Sequence, residues 1–257
     1  MAKEDYKGIW VFAEQQNGKL SGATLEIIAK AKDLQKVTGE AITAVLLGDG
    51  VAKLTDTLFA YGADKVILAE HKNLAQYSGR PYQKVFSELA EKYKPSIVLY
   101  GATSVGRDLA PRVMVSLHTG LTADAIDLGF DEDGVFYQTT PAYGGCILAH
   151  IVILERRPQM ATVRPKMFPP LEPVEGAKGE LIVETVEVEA DSSYVVTETR
   201  PKPAGGKPID EASLLVAGGR GIKSPEDLEA LRELAGLLGG QLAVSRPLVD
   251  CGWICHD

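Results

Sequence analysis

Three segments of the chain place chemically capable residues just after an apolar run. The first is Leu214-Leu215-Val216-Ala217-Gly218-Gly219-Arg220-Gly221-Ile222-Lys223-Ser224-Pro225-Glu226-Asp227. Its glycines let the backbone pass close to a ligand, and its amides and the Arg220 guanidinium supply donors for a diphosphate. The spacing is not the dinucleotide pattern G-x-G-x-x-G, so the same residues serve equally as a tight strand-to-helix turn with a surface arginine. The second is Val244-Ser245-Arg246-Pro247, where a hydroxyl and a cation follow a strand-like run. Open α/β sheets bind ligands at that edge, although an arginine before proline is also common in surface loops. The third, Thr103-Ser104-Val105-Gly106-Arg107-Asp108-Leu109-Ala110-Pro111-Arg112, either binds phosphate or caps a helix and pairs Asp108 with Arg112 at i, i+4 spacing. Cys251, Cys255 and His256 fall short of the four ligands of a closed zinc site, so no metal is assigned. His71, His118 and His150 are scattered without a partnered nucleophile, so no catalytic residue is assigned either.

Strand-length apolar runs at 9–13, 42–47, 65–69 and 97–100 alternate with segments of helical spacing, the pattern of β-α-β units around a parallel sheet. The helices are predicted around Leu25 to Leu34 with Gly39 as the cap, over 51–61 stopping at Gly62, over 82–93 before Pro95, and over 107–117. Shorter β-type runs at 135–139, 147–154 and 181–189 predict an antiparallel extension of that sheet. The segment 199–208 is rich in Pro, Gly and Lys and sets a domain boundary. The expected architecture is an α/β domain over 1–200, a linker over 201–210, and an incomplete Rossmann-like, doubly wound domain over 211–257. Within the last, a strand at 213–217 leads to a helix capped by Ser224, with Pro225 in its first turn and Asp227 as the acidic partner. That helix is predicted to bury Leu228, Leu231, Leu234, Ala235 and Leu238, and a strand follows at 241–244. Two strands and one helix neither close a sheet nor cover both its faces.

The composition is that of an ordinary globular protein: 257 residues, 45% hydrophobic and 24% charged. A net charge of -8 offers no general attraction to a phosphate backbone, which argues against nucleic-acid binding. Three cysteines are too few for a disulfide framework and suit a reducing compartment. No apolar run reaches the roughly eighteen residues of a membrane span, which predicts no membrane insertion. The opening residues carry acidic side chains, unlike a signal or transit peptide, so a cytoplasmic location is expected.

The Gly218-Gly219-Arg220-Gly221 loop and Ser245-Arg246-Pro247-Leu248-Val249-Asp250 closely resemble the alpha subunit of electron transfer flavoprotein. So do Gly101 to Arg112, Gly120-Leu121-Thr122-Ala123-Asp124, Pro141-Ala142-Tyr143-Gly144-Gly145 and Thr162-Val163-Arg164-Pro165. The resemblance implies a heterodimer with a beta subunit and an FAD held by the carboxyl-terminal domain. That FAD shuttles electrons between acyl-CoA dehydrogenase-type partners, as in fatty acid oxidation, and an acceptor. It implies an electron carrier rather than a conventional enzyme, and leaves open whether the complex bifurcates electrons. By the same resemblance Gly219, Arg220 and Gly221 contact FAD, while Ser245 and Arg246 lie at the flavin ring. A fixed cation there favours the anionic reduced form and so tunes the potential. Family members continue beyond the equivalent of Asp257 with further flavin and adenosine contacts, so the 257-residue chain alone is expected not to retain stoichiometric FAD. The alternative is a non-redox binding and assembly module, in which the amino-terminal domain alone docks the beta subunit or a nucleotide. A stand-alone ATP-using enzyme would need a phosphate-binding signature, and no P-loop occurs.

Overall fold

Strand β1 (Ile9–Phe12) is buried along its whole length. Its side chains alternate between two apolar layers, Ile9 and Val11 entering one and Trp10 and Phe12 the other. The structure, a computed structural model, describes residues 5–191, 193, 196–198, 209 and 212–254. The chain divides into the units Met1–Val195 and Val196–Asp257. Of the linker predicted over 201–210, only Ile209 is among the described residues.

In the first unit a small hairpin, β2 (Gln15–Gln16) with β3 (Lys19–Leu20), leads into α1 (Gly22–Thr38). Gly39 ends α1 in the left-handed conformation at φ 68°, its N–H donating to Gln35 O at 2.8 Å. Then follow β4 (Ile42–Gly48), α2 (Leu54–Ala60), β5 (Lys65–Glu70), α3 (Gly79–Tyr93), β6 (Ile97–Gly101) and α4 (Ser104–Ser116). The later strands are β7 (Gly120–Ala125), β8 (Asp127–Phe130), β9 (Phe136–Ala142), β10 (Ile147–Val152), β11 (Gln159–Val163) and β12 (Glu180–Glu184). Seven of these strands form one sheet in the order β12-β5-β4-β1-β6-β11-β7. Every neighbouring pair in it is parallel. Helices α1 and α2 cover one face through Ile27, Ile28, Leu34 and Leu58, while α3 and α4 cover the other through Val85, Phe86, Leu89, Leu109 and Val113. Each such fully buried aliphatic or aromatic side chain stabilises the fold by roughly 1.5–3 kcal/mol.

The α/β class and the parallel sheet are as expected, but the antiparallel strands do not extend that sheet. They form a separate three-stranded sheet, β10-β9-β8. Leu128 and Phe136 of that sheet pack into the same apolar layer as α1 and α2. The run predicted at 181–189 becomes β12, which lies parallel to β5 at the sheet edge. Beside its ladder the Lys65 ammonium meets Glu180 at 2.6 Å, and Glu184 accepts from Lys92 of α3.

In the second unit β13 (Leu215–Gly218) and β14 (Gln241–Val244) pair in parallel, connected by α5 (Asp227–Leu237). The helix starts later than expected, at Asp227 with Glu226 rather than Ser224 in the cap position, and of the capping box only the Asp227 half is made, its carboxylate accepting the Ser224 N–H at 3.1 Å. Leu228 and Ala235 are buried as expected. Leu234 and Leu238, expected on the buried side, are 45% and 54% exposed, because the two described strands are too narrow to cover that much helix surface.

Candidate functional site

The register of the parallel pair sets Gly218 beside Val244. The residues that follow each strand therefore emerge side by side at one carboxyl edge, and the Ser245 N–H donates to Gly218 O at 2.9 Å. Gly218 itself is structural: a Cβ there would stand 2.6 Å from Ile222 and 2.9 Å from Leu231, so glycine lets the loop and α5 close against β13. Gly219 and Gly221 differ from it. A Cβ on Gly219 would meet only Ser245 Oγ, at 3.8 Å, and one on Gly221 would meet nothing within 4 Å. The turn closes through the Ile222 N–H donating to Gly219 O at 3.0 Å, which leaves Arg220 and Gly221 as its central residues with amides not used by the turn bond.

After the neighbouring strand Ser245 occupies the N-cap position of a short helix, α6 (Arg246–Asp250), with Pro247 in its first turn and no capping bond from the Ser245 hydroxyl. The Ser-x-Pro pattern is a helix-start signal, and a short helix rather than a surface loop follows the strand. The Arg246 side chain is 88% exposed and touches Asp250 at 3.5 Å, a contact too long and too solvated to neutralise it. Register thus brings together all five expected positions: Gly219, Arg220 and Gly221 on one loop, and Ser245 and Arg246 on the next. Two open glycines with unspent amides, next to two cations, fit an anionic diphosphate and a ring that gains negative charge on reduction. The chemistry of the donor set therefore suits FAD.

The carboxyl edge of the seven-stranded sheet has a different character. At its switch point, between β1 and β6, the Glu14 carboxylate accepts from the Thr103 hydroxyl. Burial raises the Glu14 carboxyl above its usual range, and the Thr103 hydrogen bond only partly offsets this. Thr103 also caps α4, accepting the Gly106 N–H at 3.0 Å, while Asp108 pairs with Arg112 at 2.9 Å. The cap and the i, i+4 pair expected of that segment are both present. Cys255 and His256 lie outside the described residues. Among the described residues no group of three or more His, Cys, Asp or Glu could hold a metal, and no helix is long and apolar enough to cross a membrane.

Comparison with known proteins gives the same division of the chain a family. Residues 9–191 match the electron transfer flavoprotein domain, and residues 208–257 match the electron transfer flavoprotein FAD-binding domain. The chain is 42% identical to an electron transfer flavoprotein subunit alpha of Thermoanaerobacterium thermosaccharolyticum over 254 residues, covering 98% of this chain and 77% of that one. It is 43% identical to the subunit alpha of Clostridium acetobutylicum over 261 residues, covering 100% of this chain and 78% of that protein. It is also 38% identical over 251 residues to a lactate dehydrogenase (NAD(+),ferredoxin) subunit LctC of Acetobacterium woodii, covering 98% of this chain and 60% of that subunit. With both halves matched in order, the chain belongs to the alpha-subunit family of electron transfer flavoprotein, FAD-binding electron carriers whose alpha chains pair with beta chains.

Proposed function

We propose that Gly219, Arg220, Gly221, Ser245 and Arg246 are the FAD contacts of this chain, and that electrons reach that FAD from acyl-CoA dehydrogenase-type partners. The observation that carries the reading is the parallel register of β13 and β14, which sets both loops at one edge. When bound, FAD supplies the electron storage. In this reading the chain's own groups hold and tune it: the open backbone at Gly219 and Gly221 admits the diphosphate, and Arg220 neutralises it. Arg246 supplies a positive charge toward the ring, with the Ser245 hydroxyl, uncommitted to a helix cap, beside it. The domain organisation that goes with this is an amino-terminal domain over 1–200, a linker over 201–210 and the FAD-binding segment over 211–257, in a cytoplasmic protein.

The beta subunit docks, in this proposal, on the face of β10 that carries Leu148 and Val152. There Leu148 and Val152 are 57% and 42% exposed, and Ile147 and Ile151, which alternate to the opposite face of the strand, are 53% and 40% exposed, more apolar surface than a solvated strand would carry alone. The rival reading, an amino-terminal module that binds a nucleotide, has Glu14 against it: a phosphate at the switch point would meet a half-buried carboxylate. The test is to purify the chain together with its beta subunit, measure flavin per heterodimer, and follow bleaching of the oxidised-flavin band on adding acyl-CoA with its dehydrogenase. A flavin-containing complex that bleaches supports the whole reading. A flavin-containing complex that bleaches only with lactate and its dehydrogenase, the chemistry named for the Acetobacterium woodii relative, overturns the acyl-CoA donor. A Leu148→Asp variant that still copurifies with beta overturns the docking face.

A further inference from the structure

Three motifs that the FAD site does not use meet at one point of the first unit. Arg107 lies in the first turn of α4, Asp124 at the end of β7, and Arg164 just past β11. Strand β11 lies between β6 and β7, so these three strand ends are neighbours. The Asp124 carboxylate bridges the two cations: one oxygen accepts from Arg107 Nη2 at 3.2 Å, the other from Arg164 Nη2 at 2.6 Å and Nε at 3.2 Å. Arg107 is held further by its Nε, which donates to Ala102 O at 2.8 Å.

Asp124 is set there by the backbone. The β7–β11 register slips between Ala161 and Val163, and Asp124 occupies the resulting bulge at φ 57°. Its N–H donates to Thr162 Oγ1 at 2.9 Å, and the Arg164 N–H donates to Ala125 O at 2.9 Å. A bulge of this kind re-aims a side chain, and here it aims a carboxylate at two guanidiniums. Two cations on one anion leave a surplus positive charge, on a chain whose net charge is -8. The side chains of Arg107 and Arg164 are 61% and 42% exposed, and among the described residues the Nη1 group of each has no partner. A guanidinium offers five donors in a rigid fork, and the forks here keep donors free for a second oxyanion.

The cluster adjoins the antiparallel sheet. Ile126 follows it directly and donates its N–H to Thr139 O of β9, the strand that pairs with β10. We propose that Arg107 and Arg164, aimed by Asp124, form a charged latch that receives a carboxylate side chain of the beta subunit beside the apolar face of β10. The proposal rests on the docking reading above and adds to it the specificity of orientation, since a paired charge at an interface edge fixes register while apolar area supplies affinity. Asp124 acts here as a positioning residue for the two guanidiniums.

The test is the dissociation constant of the complex with beta, measured at low and high salt, with a melting curve of each variant as the check on folding. The double variant Arg107→Gln/Arg164→Gln should bind beta about tenfold or more weakly at low salt, and the deficit should shrink as salt screens the pair. Arg164→Lys should recover part of the loss, since charge is kept and the fork is lost. Asp124→Asn should weaken binding less than the double variant, because both cations remain. If the double variant melts early, Arg164→Gln alone is judged by the same salt criterion. Unchanged affinity in a folded arginine variant, with Leu148→Asp still disrupting the complex, overturns the latch and leaves the docking face standing. Unchanged affinity in both overturns the latch and the docking face together. Tight binding of inorganic phosphate by the chain alone, lost in the double variant, would assign the latch to a free anion and overturn the partner carboxylate.

Discussion

Replacing Tyr100 by phenylalanine should make the first unit more stable. Tyr100 sits on β6 with none of its surface exposed, its ring packed 5.8 Å from that of Phe12 and 5.3 Å from that of Phe86. Among the described residues its hydroxyl has no hydrogen-bond partner, and burial pushes its pKa well above the ordinary tyrosine value. An unsatisfied buried polar group costs about 1–3 kcal/mol in desolvation. Phenylalanine removes that cost and keeps both ring contacts. The void left is about 10 Å³, worth roughly 0.2 kcal/mol at the usual cost of cavity volume. The expected gain is therefore about 1–2 kcal/mol, or a melting temperature higher by about 2–8 °C for a unit of this size. Urea unfolding should show a higher midpoint with an unchanged slope. A Tyr100→Phe variant less stable by about 1 kcal/mol or more would mean that the hydroxyl does make a bond in the folded protein, and the reasoning would fall.

In the assembled flavoprotein, Arg246→Ala should lower the flavin potential with FAD content kept, by about 30 mV for each 1.4 kcal/mol of lost attraction to the reduced ring. Arg220→Ala should instead lower FAD content, and a redox titration beside a flavin assay separates the two. Gly106→Ala should destabilise the first unit by roughly 3 kcal/mol or more, because its Cβ would stand 1.8 Å from Gly101 O; a chemical denaturation curve reads this directly. Asp64 is opposed by burial, which raises its carboxyl, but the Ile42 N–H, Lys32 and Gln35 together bring it below its ordinary value. Its contribution is fully present above the unfolded carboxylate value, near pH 4, and is lost as pH falls through the lowered folded value, so Asp64→Asn should flatten the acid limb of a stability-pH curve. Limited proteolysis should cut between Pro201 and Pro208 and leave a fragment of about two hundred residues, and rapid digestion of the first unit would refute the proposed boundary.

The parallel core was legible because its central strands are buried on both faces. Residues 42–47 and 97–100 read as unbroken apolar runs for that reason. Strand β7 was not, since Gly120-Leu121-Thr122-Ala123-Asp124-Ala125 buries a threonine at its centre, where Thr122 Oγ1 donates to Gln138 at 2.8 Å. Strand β11 begins with a buried glutamine and has only five residues, too few to show a period. The five positions proposed to contact flavin could be named from sequence because each of the two loops that carry them is contiguous. Their meeting depends on the pairing of β13 with β14, and the Arg107, Asp124 and Arg164 cluster depends on β11 entering between two earlier strands. Neither pairing leaves a local signal.

The strand order also governs how the first unit can assemble during synthesis. Strands β1, β4, β5 and β6 emerge first and can pair at once, but the sheet they make ends in two open edges, at β5 and at β6. Strand β7 follows, yet its ladder is to β11 alone, so it has no place in that sheet until β11 has left the ribosome. The opposite edge waits still longer, for β12. Unpaired parallel edges invite pairing with another chain, and contacts of long sequence separation form slowly. The nascent chain is therefore most exposed to aggregation while residues 102–158 are being made, and β11 and β12 act as late staples that close the two sides in turn.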